Sequence, residues 1–272
     1  YELKFEGKPP LPEVHWADQE PLVIDGTFRQ KLNTWLTLVQ RGEVINAYRV
    51  FLGLWDEAVG DAAKRTQLLA QLVFAGLIDV QDRMLHSRSY TTGHKSYRAR
   101  ATVELAQAVG WQHARSILYA GVPDMAVGPR WYSNYEMGCL VVQNLLDGRD
   151  QDFVGNDGAL SPVESFALIQ AILSGEEPAY IDLIVALLKA GKGLRQIIDT
   201  IQVASAQVIL ETGHPNNFSM SQHSYEYCNT VRWFFDTFEH PHRLKLVFVA
   251  GAFVTRAAHH QLIEGRIAAA EA

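Results

Sequence analysis

The residues best suited to chemistry in this sequence are its histidines. There are ten, and most fall in two windows, 86–113 and 214–260. A neutral imidazole is the commonest protein ligand for zinc, copper and iron, so two dense histidine windows point first to a metal centre. The candidate ligands are His86, His94, His214, His223 and His259. Asp79 and Asp82 precede His86 by seven and four positions, one face of a helix, so Asp82 is a candidate to orient that imidazole or to ligate beside it. His94 and His223 each stand where a helix is expected to begin. Unsatisfied backbone donors and the positive end of the helix dipole favour the neutral ring there. His214 lies in a Gly213-His214-Pro215 turn, and His259 shares a helical stripe with Val249, Phe253 and Arg256. Tyr97 and Tyr225 follow the two helix-opening histidines closely and could donate a hydrogen bond to an oxygen species at the metal. Each histidine also has an ordinary reading, as a solvated helix residue or a partner for a loop carbonyl. His240-Pro241-His242 reads as packing at a helix junction.

Other chemistries leave weaker traces. No Glu-x-x-His motif lies within a predicted helix, which disfavours a carboxylate-bridged di-iron bundle. The nucleophile-elbow pattern Gly-x-Ser-x-Gly does not occur, and Ala190-Gly191-Lys192-Gly193 lacks phosphate-loop spacing. Cys139 and Cys228 lie far apart in apolar patterns, with no Cys-x-x-Cys partner, and read as buried reduced thiols.

The elements that must position these residues are helices. From Thr27 onward apolar residues recur at helical spacing, predicting helices near 27–40, 43–59, 61–88, 93–109, 111–125, 130–147, 162–174, 177–190, 194–212, 221–238 and 242–264. Glycines 42, 60, 110, 148, 175, 191 and 213 punctuate the helix ends, and Ser161-Pro162-Val163-Glu164 is a capping box with proline in the first turn. The expected fold is all-α, about eleven helices forming one domain over 27–272. An irregular arm, 1–26, is rich in proline and expected to pack through Trp16 and Val23. Residues 149–160 read as a linker between two similar halves, about 42–148 and 175–264. In each half a Gly-Glu pair opens a helix, a long helix follows, and then a histidine-bearing turn leads to a helix-opening histidine. His94 and His223 match, as do His113 and His242, each 19 positions further on.

Bulk composition bounds the function. Hydrophobic residues are 48% and charged residues 20%, ordinary for a globular protein. A net charge of −6 with no basic cluster argues against nucleic acid. No apolar run reaches the ~20 residues that span a bilayer, and the strongest candidate, Leu244–Val254, with Lys245 and Arg256 at its ends, reads as a core helix, so no membrane association is expected. Nothing in the opening residues reads as a signal peptide, and a cytoplasmic protein is expected, with a homo-oligomer left open.

The segments His94-Lys95-Ser96-Tyr97-Arg98-Ala99 and His223-Ser224-Tyr225-Glu226-Tyr227-Cys228-Asn229 resemble helix starts in a bacterial helical family often fused to a Rieske ferredoxin domain. His240-Pro241-His242-Arg243-Leu244 followed by Ala250-Gly251-Ala252-Phe253 resembles that family's last helices. The histidine-rich all-α layout is more distantly similar to questin oxidase-like proteins. That resemblance implies oxidative cleavage of aromatic rings at a multi-histidine non-haem iron, with a modified lysine as a further ligand in some members. Lys95, Lys189 and Lys245 are the positions such a lysine could occupy here. The expected activity is therefore a metal-dependent, non-haem iron oxygenase acting on an apolar or aromatic small molecule. A separate ferredoxin is a possible electron donor, and another divalent metal or a hydrolase using the same ligands stays open. The rival expectation is a non-catalytic helical module that docks a ferredoxin or another protein.

Overall fold

A computed structural model describes residues 14–80, 93–128, 131–213 and 218–271. Among them the protein is all-α, with twelve α-helices and no strand. Of the irregular arm, residues 14–26 are described. Trp16 packs edge-on against Tyr48 as expected, but Val23 is exposed, and Leu22 is the second anchor, its N–H bonded to the Arg49 carbonyl.

Helix α1 (Phe28–Arg41) opens with a reciprocal capping box between Thr27 and Gln30. Helices α2 (Val44–Ala58) and α3 (Ala62–Leu77) follow after tight turns. Asp61 caps α3 by accepting from the Ala63 and Lys64 N–H groups. Here the structure departs from the expected 61–88 helix. The chain leaves the helix at Leu77, and Ile78, Asp79 and Val80 continue as a buried tail. Gly76, a weak helix former, stands one residue before this break, and tertiary contacts take over where the helix ends. The Tyr227 hydroxyl donates to the Leu77 carbonyl at 2.7 Å, satisfying one of the last orphan acceptors. Asp82 and His86, placed by the sequence on the continuation of this helix, lie outside the described residues, as does His214.

Helix α4 (His94–Val109) is followed by a broken stretch in place of the expected helix 111–125. Two 3-10 turns, Trp111–His113 and Pro123–Met125, flank the four-residue α5 (Arg115–Leu118). Gly121 sits flat on Thr102 and Pro123 lacks an amide donor, so a continuous helix cannot run through here. Helix α6 (Ser133–Leu145) leads into the linker, which holds α7 (Gln151–Val154) and an isolated backbone bridge from Gly158 to Lys192. Helices α8 (Pro162–Leu173), α9 (Glu177–Lys189), α10 (Leu194–Leu210), α11 (Phe218–Thr237) and α12 (Arg243–Glu271) complete the fold.

Helix α12 is the axis of the second half. Leu244, Leu246, Val247, Phe248, Val249, Phe253 and Val254 are fully buried, so the helix is enclosed on nearly every side over residues 244–255, with α6, α8, α9, α10 and α11 packed against it. Burying each such large side chain is worth ~1.5–3 kcal/mol. No helix among the described residues is both long and apolar enough to cross a membrane. Helices α3 and α4 form a tight pair, as do α10 and α11, and α4 also lies against α11. The α3–α4 approach depends on Gly76. A Cβ there would stand 2.8 Å from the Lys95 carbonyl and the Ser96 nitrogen, so the two backbones touch where any side chain would hold them apart. We expect Gly76→Val to push the first turn of α4 away from α3 and cost ~1–3 kcal/mol, read as a lower denaturant midpoint. An unchanged midpoint would show that the α4 start yields freely.

Candidate metal centre

The first turn of α4 and the second turn of α11 bring two of the five candidate histidines into contact. His94 is the first residue of α4, preceded by Gly93 in the left-handed region at φ +84°, a conformation that suits glycine. His223 does not open its helix as expected. Helix α11 starts at Phe218, so His223 projects from within the helix. The two Nε2 atoms are 2.9 Å apart, with ring centroids 4.7 Å apart and ring planes at 78°.

The pairing extends along a seam. Arg100 Nη1 donates to Asn229 Oδ1 at 2.8 Å, and both this pair and the histidine pair are 129 residues apart in sequence. A constant separation means that α4 and α11 run parallel and in register. Two similar halves related by rotation about an axis along the seam would produce this arrangement. The Tyr97 hydroxyl closes the seam, donating to the His223 backbone carbonyl at 2.8 Å. Its one proton is thereby committed to holding His223 in place. Burial pushes its phenol pKa well above the usual range, so it stays protonated. Tyr225 lies on the outer side, where it lines a groove of about 470 Å³ together with Tyr97, Arg100, Glu104, Glu226 and Asn229.

Electrostatics favour neutral imidazole at His94. Half-burial lowers its pKa first, His223 and Arg98 lower it further, and Glu226 and Asp124 oppose them. The contact is a hydrogen bond in which one Nε2 donates its proton to the other. The spacing also fits shared ligation. Two nitrogens at 2.0–2.1 Å from one ion, at right angles, are about 2.9 Å apart.

Beneath His94 a buried ion pair fixes the start of α4. Lys95 Nζ lies 2.6 Å from Asp79 Oδ2, both side chains being almost fully buried, and it also donates to the Met125 carbonyl at 3.2 Å. Asp79 Oδ1 accepts from the Trp131 N–H at 2.6 Å. This strut joins the tail of α3, the start of α4 and the segment entering α6. Of the three lysines the family resemblance left open, Lys95 is held by Asp79, Lys245 pairs with Asp150 at 3.3 Å, and Lys189 lies at the end of α9.

The remaining candidates fall elsewhere or outside the described residues. His259 lies against Gly175 at the α8–α9 turn. Gln261, two positions on and about 200° round the helix, is the residue that reaches toward α11, donating to Ser221 at 2.9 Å. The structure therefore does not bring His259 to the pair. His86, His214 and Asp82 are not among the described residues. No group of three or more His, Cys, Asp or Glu side chains suited to a metal gathers among the described residues. The nearby carboxylate that sequence reasoning passed over is Glu226, one turn beyond His223, whose charge acts on both His94 and Tyr97. Its signal was the i, i+3 spacing in His223-Ser224-Tyr225-Glu226.

The His240-Pro241-His242 turn has the packing role expected for it. His240 stacks on Phe74 with centroids 4.0 Å apart, and its Nδ1 accepts from the His242 N–H at 3.2 Å. Burial, with help from His242 and Lys245, pushes its pKa down to about 3.

Comparison of the chain with protein-family models, with curated proteins and with solved structures finds no match.

Two outcomes follow from these buried groups. Lys95→Met should cost ~3–5 kcal/mol, because it strands the Asp79 carboxylate without its counter-charge. Adding Asp79→Leu should restore part of that loss, but not all, since the Trp131 N–H loses its acceptor. Equal stability of Lys95→Met and wild type would mean that the strut carries no load. For His240, an unfolded pKa near ~6.5 against about 3 in the fold means that only the unfolded chain binds this proton across that window. Stability should therefore fall as pH drops below ~6.5, by at most ~1.4 kcal/mol per pH unit from this residue. In denaturant titrations against pH, His240→Gln should flatten the fall, and an unaltered slope would contradict the assignment.

Proposed function

We propose that the protein is a metal-dependent oxygenase, with His94 and His223 as two ligands of a non-haem iron. The observation that carries this reading is the convergence of two Nε2 atoms at 2.9 Å on an in-register seam, one ring held neutral by burial. Neutral imidazole suits iron, and two histidines with one carboxylate are the usual protein set for iron(II) oxygenases. Glu226, whose charge acts on His94, is one candidate for that third role, and Asp82, His86 and His214 are the others. A bound iron would supply open coordination positions and redox capacity for dioxygen chemistry.

The protein's own residues do the positioning. Tyr97 fixes the backbone carrying His223, and the Lys95–Asp79 strut fixes the turn carrying His94. The groove along α4 and α11 offers the Tyr97 and Tyr225 rings to an aromatic small molecule and the Arg100 guanidinium to a polar substituent. Electrons would come from the substrate or from a separate ferredoxin, in keeping with the family resemblance. The absence of a third converging ligand among the described residues favours one rival reading, a helical module that docks a protein partner and in which the two histidines simply hydrogen-bond.

Metal analysis separates the two. Purified protein should hold about one equivalent of iron, and His94→Ala or His223→Ala should lose it while retaining the helical circular dichroism. Iron content indistinguishable between the double variant and wild type would overturn the proposal. For an oxygenase, turnover should also stop under strict anaerobic conditions, whereas a hydrolase with the same ligands would continue.

A further inference from the structure

A second site lies away from the histidine pair, in a cleft of about 300 Å³ between α1, α3 and the turn joining α11 to α12. Leu32, Leu36 and Ala70 give it an apolar wall, and Arg29, Gln71 and His242 line the polar side.

The hydrogen-bond network fixes what these polar groups offer. His240 Nδ1 accepts from the His242 N–H, so its Nε2 carries the proton and donates to Gln71 Oε1 at 3.1 Å. That contact settles the orientation of the Gln71 amide, with its oxygen toward His240 and its NH2 left over. Gln71 is only 6% exposed, and its nitrogen has no hydrogen-bond partner among the described residues. At His242 the Lys245 ammonium, itself paired with Asp150, donates to Nδ1 at 3.0 Å. A neutral His242 ring therefore carries its proton on Nε2. Arg29 is exposed, and its guanidinium makes no ion pair or hydrogen bond among the described residues. The one carboxylate lining the cleft, Glu239, is engaged by Arg243 at 2.8 Å. The uncommitted groups of Arg29, Gln71 and His242 are thus all donors, set against an apolar wall.

We propose that this cleft binds a small organic acid, its carboxylate held by Arg29, Gln71 and His242 and its apolar body resting on Leu32, Leu36 and Ala70. A guanidinium and two neutral donors match a carboxylate's lone pairs, and the cleft has the volume of a small-molecule site. The site shares no residue with the His94–His223 centre and does not depend on the metal reading.

Isothermal titration with benzoate, and with benzamide as its uncharged isostere, tests the assignment. Benzoate should bind wild-type protein at millimolar concentration or below, and benzamide at least about tenfold more weakly. Arg29→Ala should lower benzoate affinity at least about tenfold. Asn33→Trp, at an exposed lining position of α1, should block the cleft and abolish binding. The His94→Ala, His223→Ala double variant should bind benzoate like wild type, so this result is independent of the metal centre. Absence of benzoate binding, equal affinity for benzamide, or unchanged affinity in both Arg29→Ala and Asn33→Trp would each overturn the proposal.

Discussion

The parallel contact between α4 and α11 is the constraint on which the candidate chemistry rests. Two histidines 129 residues apart can meet only if both helices are set in azimuth and in register, since one residue of slip turns a side chain by about 100°. Three features hold the register. Gly76 lets α3 touch the backbone of the first turn of α4, the Lys95–Asp79 pair anchors that turn from below, and Tyr97 reaches across to the carbonyl of His223. Arg100 and Asn229 repeat the same offset further along. The seam is thus a specified interface between the two halves of the chain.

Buried polar groups supply much of that specificity. Lys95 and Asp79 are charged and nearly inaccessible, and desolvating them is costly. Each is tied to backbone as well as to the other, Lys95 to Met125 and Asp79 to Trp131, so their position is set by several partners at once. A hydrophobic pair of similar volume could match the stability but would not fix the direction of α4 in the same way. The Tyr227 hydroxyl acts similarly on the end of α3.

These tertiary polar contacts also explain which features could be read in the sequence. Helices ended by glycine or opened by a capping box, such as α1, α8 and α9, were legible within a residue or two, because their signals are local. The end of α3 was not, since Leu77, Ile78 and Val80 are all buried and periodicity cannot distinguish a buried helix from a buried tail. The partner that ends it, Tyr227, is 150 residues away. His94 and His223 hold matching positions in the sequence, each in a polar turn after a long apolar stretch, and that match is what pointed to their meeting. His259 shares a stripe with Val249, Phe253 and Arg256 that points inward by spacing, yet in the fold it is exposed beside the Gly175 turn. Glu226 carries a fainter signal, its i, i+3 spacing from His223, which many solvated helix faces share.

If the seam is a metal site, His94 and His223 ligate one ion together. Imidazole nitrogen resonances followed by NMR during a zinc titration test it most directly, zinc being a diamagnetic probe with the same preference for histidine. The Nε2 resonances of both residues should change in step and saturate at one zinc per chain, while His240 stays unaffected. Unchanged Nε2 resonances at a stoichiometric excess of zinc, or two independent changes with different midpoints, would contradict it.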